Sequence, residues 1–194
     1  MDLEYPQLAS TNDAAVSEFN RLAEGFAESA AAEFVTSLQE EDGPPVSNAP
    51  LGSSYDVRYD VLYAREGILS IRFEVEAYSE GAVHQQLAYD ELTFDVGSGR
   101  RLSLRNLFKP GVRYLESLSR YCEADPRIQS VLNNDLGLRP VADNFRVWNI
   151  TVDGLLITFP PYQVGSFADG TQRVTVPFHV FGDTLASEAL RFRE

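Results

Sequence analysis

Apolar residues recur at three- and four-residue steps through Phe19, Leu22, Phe26, Ala30, Phe34 and Leu38. This spacing predicts a helix over about Asp13 to Glu40 with one apolar stripe. Asn12 is the expected N-cap, and Asp13 suits the positive end of the helix. Gly43-Pro44-Pro45 stops the helix, and the Pro, Gly, Ser and Asn clustered over Asp42 to Ser53 read as a loop.

The period then changes to two. Tyr55, Val57, Tyr59, Val61 and Tyr63 alternate with Asp56, Arg58 and Asp60, and Leu69, Ile71, Phe73, Val75 and Ala77 alternate with Ser70, Arg72, Glu74 and Glu76. These are two strands of a hairpin, each with one apolar and one charged face. A three-residue loop, Arg65-Glu66-Gly67, sets Tyr59 opposite Phe73, Val61 opposite Ile71, Asp60 opposite Arg72 and Arg58 opposite Glu74. A further strand is expected over Gln86 to Val96, a turn at Gly97-Ser98-Gly99 and a short strand over Arg101 to Leu104. A helix follows over Val112 to Ala124 with Leu115, Leu118 and Cys122 inward, then a short helix opened by Pro126. Phe145 to Phe159 reads as a second hairpin around an Asp153-Gly154 type I′ turn, pairing Val152 with Leu155, Ile150 with Ile157 and Trp148 with Phe159. Pro160-Pro161 ends it, and Val174, Val176, Phe178 and Val180 alternate into a last strand.

Helices and antiparallel strands in this order predict an α+β domain: antiparallel sheet, with the long N-terminal helix and the central helical segment packed against one face. The expected organisation is one domain over 1–194, with a helix-and-hairpin subregion at 1–80 and a C-terminal subregion at 81–194.

Charge narrows the partners. Sixteen basic against 29 acidic residues leave a net charge of −13. That disfavours nucleic acid and anionic lipid, and fits a basic protein partner or plain solubility. The single cysteine, Cys122, excludes an internal disulfide and a cysteine-based zinc site, and its place in an apolar helical pattern makes it a small hydrophobe. No apolar run approaches the length of a membrane span, and the first residues have neither a basic nor an apolar leader pattern.

Motifs carry the rest. Leu92-Thr93-Phe94-Asp95 leads to Gly99-Arg100-Arg101-Leu102-Ser103-Leu104-Arg105-Asn106-Leu107-Phe108. Phe145 to Phe159 contains Thr151, Gly154-Leu155, Ile157 and Phe159. Pro161-Tyr162-Gln163-Val164-Gly165-Ser166-Phe167-Ala168-Asp169-Gly170 precedes Val174-Thr175-Val176-Pro177. On these motifs, with Tyr5-Pro6-Gln7-Leu8 and the long helix upstream, most of the chain resembles the RsiV-type extracytoplasmic domain family. Members of that family occur in a lysozyme-sensing anti-sigma factor, beside a peptidoglycan deacetylase domain and in a secreted mycobacterial antigen. The resemblance implies export and binding or sensing at the cell envelope. It implies no catalysis, because the enzyme activity of those chains sits in other domains. The family's Gly-Gly-Ala-His is replaced here by Gly81-Ala82-Val83-His84, and neither the sigma-binding tail nor the membrane span of the anti-sigma factor is expected in this chain.

Candidate chemistry is sparse. The two histidines, His84 in a loop and His179 outward on the last strand, lack a Gly-x-Ser-x-Gly elbow for a triad. They make a metal site only if the fold brings them together. Glu74 and Glu76 share a strand face at about 7 Å, a spacing open to glycan hydrolysis, but a charged face beside Arg72 reads as solvated rather than as the burial a general acid needs. The loop from Pro160 to Gly170 is the best candidate surface. Tyr162 is expected to plug the core, with Gly165 and Gly170, like Asp153 and Gly154, serving turns, and the ligand contacts are placed on Gln163, Asp169 and Arg173. The expectation is a non-catalytic, exported cell-envelope domain that binds a lysozyme-like protein or a cell-wall glycan, without cofactor or metal. Any signal or anchor would lie outside this chain, and composition leaves a cytoplasmic location open. The alternatives are a carboxylate-dependent carbohydrate hydrolase and a purely structural module of an exported protein.

Overall fold

The computed structural model describes residues 1–9, 13–41, 52–133, 135–187, 189 and 192. The expected cap Asn12 and most of the expected loop 42–53 lie outside these residues, as do the side chains of Ala30, Phe34 and Leu38. Helix α1 spans Ala14–Glu41. Asp13 caps it: its Oδ1 accepts the Ala15 backbone N–H at 2.8 Å. The face it buries is Val16, Phe19, Ala23, Ala27 and Ala31, flanked by the partly buried Leu22 and Phe26. Of the stripe expected from the sequence, Phe19 packs edge-on to Phe94 and Phe26 stacks on Phe73, while the alanines fill the rest of the buried face.

The sheet beneath α1 has five strands, ordered β1 (Asp2–Leu3), β2 (Ser54–Arg65), β3 (Ile68–Tyr78), β4 (Gln86–Asp95) and β5 (Arg100–Leu102). The β2–β3 register is the expected one from Ser54 to Val61, with Tyr59 opposite Phe73, Asp60 opposite Arg72 and Arg58 opposite Glu74. Beyond Val61 a bulge shifts it. The loop is therefore the two residues Glu66 and Gly67, both at positive φ, as a type I′ turn requires. The extra residue also reverses the facing of the strand end. Tyr63, expected beside Val57 and Tyr59, instead enters a second core with Ile68, while Val61 is exposed.

That second core belongs to the C-terminal half. Helices α2 (Tyr114–Glu123) and α3 (Pro126–Val131) and a three-stranded sheet of β6 (Trp148–Thr151), β7 (Gly154–Phe159) and β8 (Gln172–Val176) pack around Leu118, Ile128, Phe145, Trp148 and Phe159. Leu118 and Cys122 of α2 face inward as expected, and Asp125 caps α3 through the Arg127 N–H. The second hairpin differs from expectation. Ile150 pairs with Leu155 and Trp148 with Ile157, the turn residues are Val152 and Asp153, and neither has positive φ. A shift of two residues keeps every side chain on its face, so alternation cannot distinguish the two registers. The packing of Gly154 selects this one. A Cβ on Gly154 would collide with the carbonyl of Val176, so the glycine serves the close approach of β8 and not the turn. Phe145 ends a 3-10 turn instead of opening a strand. Pro177 ends β8, so Phe178, His179 and Val180 lie in a 3-10 segment.

The three-stranded sheet packs on the face of β3 opposite α1. Ser70 joins the two layers. Its Oγ lies 2.9 Å from Thr93 Oγ1, accepts the Ile150 backbone N–H at 3.1 Å, and is 3.1 Å from Asn149 Nδ2, which also donates to Ile71 O. All of these groups are buried. The architecture is thus α+β with its five-stranded sheet covered on both sides, α1 on one and the second sheet on the other. The polar face of β3 is consequently only partly solvated: Arg72 is buried, and Glu76 and Glu74 are partly exposed, Glu74 at 29% with Arg173 of β8 at 4.0 Å.

Candidate functional site

The loop after β7 begins with a tight turn. Gln163 N–H donates to Pro160 O at 3.2 Å, Pro161 holds the second position, and Tyr162 holds the third at φ +69°. A proline followed by positive φ is the type II pattern, whose third position favours glycine. A tyrosine there costs about 1 kcal/mol of backbone strain, and its ring is turned outward. Tyr162 is 59% exposed, which corrects the expectation that it plugs the core.

The ring is not isolated. Tyr162 Oη lies 3.1 Å from His84 Nε2, in the loop between β3 and β4. His84 stacks on the half-buried Phe167 with ring centroids 3.9 Å apart, and Phe167 lies 5.7 Å from the Tyr162 ring. Two loops remote in sequence thus build one aromatic platform of Tyr162, His84 and Phe167, with polar tips at the phenol and the imidazole.

The neighbours expected to contact ligand have internal partners. Gln163 Nε2 donates to Gly137 O and Asn144 O, tying the loop to the segment before β6. Asp169 accepts from Ser166 N and Oγ, closing a short 3-10 turn, and these bonds hold its carboxyl below the usual range. Arg173 reaches over the ring of Tyr89 at 5.6 Å, where the Tyr89 hydroxyl also accepts from Thr171. Gly165 is buried against Asp169 and the Val131 carbonyl, and Gly170 closes the turn at φ +66°. Asp153 is exposed in its turn, where its N–H donates to Thr151 Oγ1.

A second feature arises where β5 meets the second sheet. A cavity of about 430 Å³ opens there. Its apolar wall includes Leu104, Phe145, Trp148 and the ring of Tyr114; its polar wall carries Arg101, Arg105, Arg146 and Glu91. The Glu91 side chain is 6% exposed. One carboxyl oxygen accepts Arg101 Nη2 at 3.1 Å, and the other accepts the Thr93 N–H at 2.9 Å. Burial pushes the carboxyl up to about 7, and Arg101 only partly offsets this. The sequence reading overlooked this group of residues. Its only trace was the Arg101-to-Arg105 spacing, and nothing local links these residues to Arg146.

Other candidates stay apart. His179 is exposed in the 3-10 segment after β8, and His84 keeps its own contacts. Among the described residues no group of three or more His, Cys, Asp or Glu is arranged to hold a metal. Cys122 is buried, and burial raises its thiol to about 12, leaving it protonated near neutrality. No helix of the described residues is long and apolar enough to cross a membrane.

Residues 105–179 match a family described as "Protein of unknown function (DUF3298)". No curated protein matches the chain in sequence. Two solved structures share its fold. One is a member of the DUF3298 family from Bacteroides fragilis, 18% identical with a TM-score of 0.66, covering 96% of this chain and 83% of its own. The other is a DUF3298 family protein from Pseudomonas aeruginosa, 12% identical with a TM-score of 0.59, covering 89% and 82%. At these identities the likeness is one of fold. The segment that matches the DUF3298 model contains the whole Tyr162 loop, and the fold around it is similar to that of these two DUF3298 proteins.

Proposed function

We propose that this is a non-catalytic binding domain of the cell envelope, of the RsiV type, that captures a protein partner through the Tyr162 platform. The observation that carries the reading is the exposed Tyr162 held at φ +69° and braced by His84 and Phe167. A large ring displayed at a backbone cost, with its rotation limited by a hydrogen bond and a stacked pair, suits an anchor at a binding surface. The net charge of −13 favours a basic protein, and lysozyme, sensed by one member of the family that the sequence resembles, is of that kind. Cell-wall glycan is the other occupant an aromatic platform suits.

The test is a pull-down with lysozyme and with purified peptidoglycan as separate baits, using wild type and Tyr162→Gly. Retention of wild type on lysozyme, weakening with salt and lost in the variant, supports the reading. Retention on peptidoglycan alone moves the reading to glycan, and retention of the variant on either bait sinks the role of Tyr162.

The hydrolase alternative draws on one observation, the poorly solvated Glu91 in the cavity. Both its carboxyl oxygens already accept hydrogen bonds from the protein, which suits a group that orients Arg101 better than one that protonates a leaving group. Glycan-hydrolysing activity abolished by Glu91→Gln would reverse that preference.

A further inference from the structure

We infer that the cavity between β5 and the second sheet is a binding site for a small organic carboxylate with an apolar body. It lies apart from the Tyr162 platform in its lining residues, and the inference does not rest on that reading.

Three guanidinium groups meet on its wall in a chain whose net charge is −13, a local reversal of sign that needs a reason. Two are already oriented. Arg101 Nη2 is fixed by both the carboxyl and the backbone carbonyl of Glu91. Arg105 Nη1 is fixed by Phe108 O and Lys109 O, with its guanidinium 5.7 Å from the Tyr114 ring. Each keeps other donors that are unspent among the described residues. Arg146 is exposed, and its side chain makes no hydrogen bond or ion pair among the described residues. The Glu91 carboxyl is directed at Arg101, and the remaining acid of the wall, Asp143, is exposed. A carboxylate is the planar anion that guanidinium forks bind through paired hydrogen bonds.

The opposite wall sets the rest of the ligand. Leu102 and Tyr114 are partly exposed on this wall, in front of the buried Phe145 and Trp148, so an apolar body entering the cavity meets a leucine side chain and an aromatic ring. The volume of about 430 Å³ is in the range of small-molecule sites, which combine an apolar lining with a few placed polar groups.

Trp148 is the only tryptophan in the chain, so its fluorescence reports on this cavity directly. The experiment titrates the intact domain with N-acetylphenylalanine, with its uncharged C-terminal amide and with inorganic phosphate, in wild type, Arg146→Met and Tyr162→Gly. The expected result is a saturable change with the acid. Affinity falls about tenfold or more for the amide, for phosphate and for Arg146→Met, and is unchanged in Tyr162→Gly. Arg146 has no side-chain partner among the described residues to lose, so Arg146→Met is expected to fold, and an unchanged urea midpoint confirms it. No saturable change with the acid, equal affinity for acid and amide, or unchanged affinity in Arg146→Met overturns the inference. Phosphate binding as tightly as the acid overturns the apolar-body requirement, and weakening by Tyr162→Gly overturns the independence of the two sites.

Discussion

The imidazole Nε2 of His84 lies 3.1 Å from the phenol oxygen of Tyr162, across 78 residues of sequence. The contact joins the β3–β4 loop to the loop after β7, and so bridges the two sheets at the surface. It gives Tyr162 a fixed direction without burying it, which separates what this residue does for stability from what it does for recognition.

Replacing Tyr162 with glycine is expected to leave the urea unfolding free energy within about 1 kcal/mol of wild type. The lost surface contacts and the flexibility of glycine are offset by relief of the positive φ. Binding in the pull-down is expected to be lost. A drop of several kcal/mol instead marks Tyr162 as a core residue in solution.

Glu91 makes stability depend on pH. Its carboxyl rises from 4.5 to about 7 on folding, so the folded state binds the proton more tightly than the unfolded chain. The corresponding stability is fully present below 4.5 and is lost as pH rises through 7. The shift is equivalent to roughly 3 kcal/mol at most. Glu91→Gln is expected to flatten this slope and to raise stability at pH 8 more than at pH 5. Urea midpoints at the two pH values measure it, and an unchanged slope in the variant refutes the assignment.

Ser70 holds the sheets together through Thr93, Asn149 and Ile150. Ser70→Ala removes one hydroxyl and strands several buried polar groups, at an expected cost of about 2–3 kcal/mol. Chemical denaturation gives the number directly; a loss below about 0.5 kcal/mol means the layers do not depend on this junction.

Gly154 tests the hairpin register. Gly154→Ala places a methyl group against the Val176 carbonyl and is expected to cost more than about 2 kcal/mol. Gly170→Ala meets open space but a backbone at φ +66°, ψ −160° that glycine alone adopts readily, and is expected to cost about 1–3 kcal/mol. Equal, small losses at both sites would place Gly154 in an ordinary turn, as its sequence context first suggests.

Local pattern was enough for elements whose signal lies within a few residues. The 3.6-residue period of α1, the alternation of β2 and β3, the inward Leu118 and Cys122 and the proline start of α3 were all legible, because side-chain direction follows backbone period. The same alternation misplaced the second hairpin by two residues, since that shift preserves every face. It also missed the bulge that turns Tyr63 into the other core.

Tertiary structure decided the sites. The loop from Pro160 to Gly170 stood out by composition, but an aromatic residue reads alike whether it is buried or displayed. Only the turn geometry at Tyr162 and the arrival of His84 settled that it faces outward. Glu91, Arg101, Arg105 and Arg146 carried no shared signal, because their meeting depends on the second sheet packing against the first. The sequence by itself determined the periods, the composition and the net charge. The packing of the two sheets determined which polar residues are buried, paired or left facing a cavity, because burial and long-range pairing are properties of layers in contact and not of any segment alone.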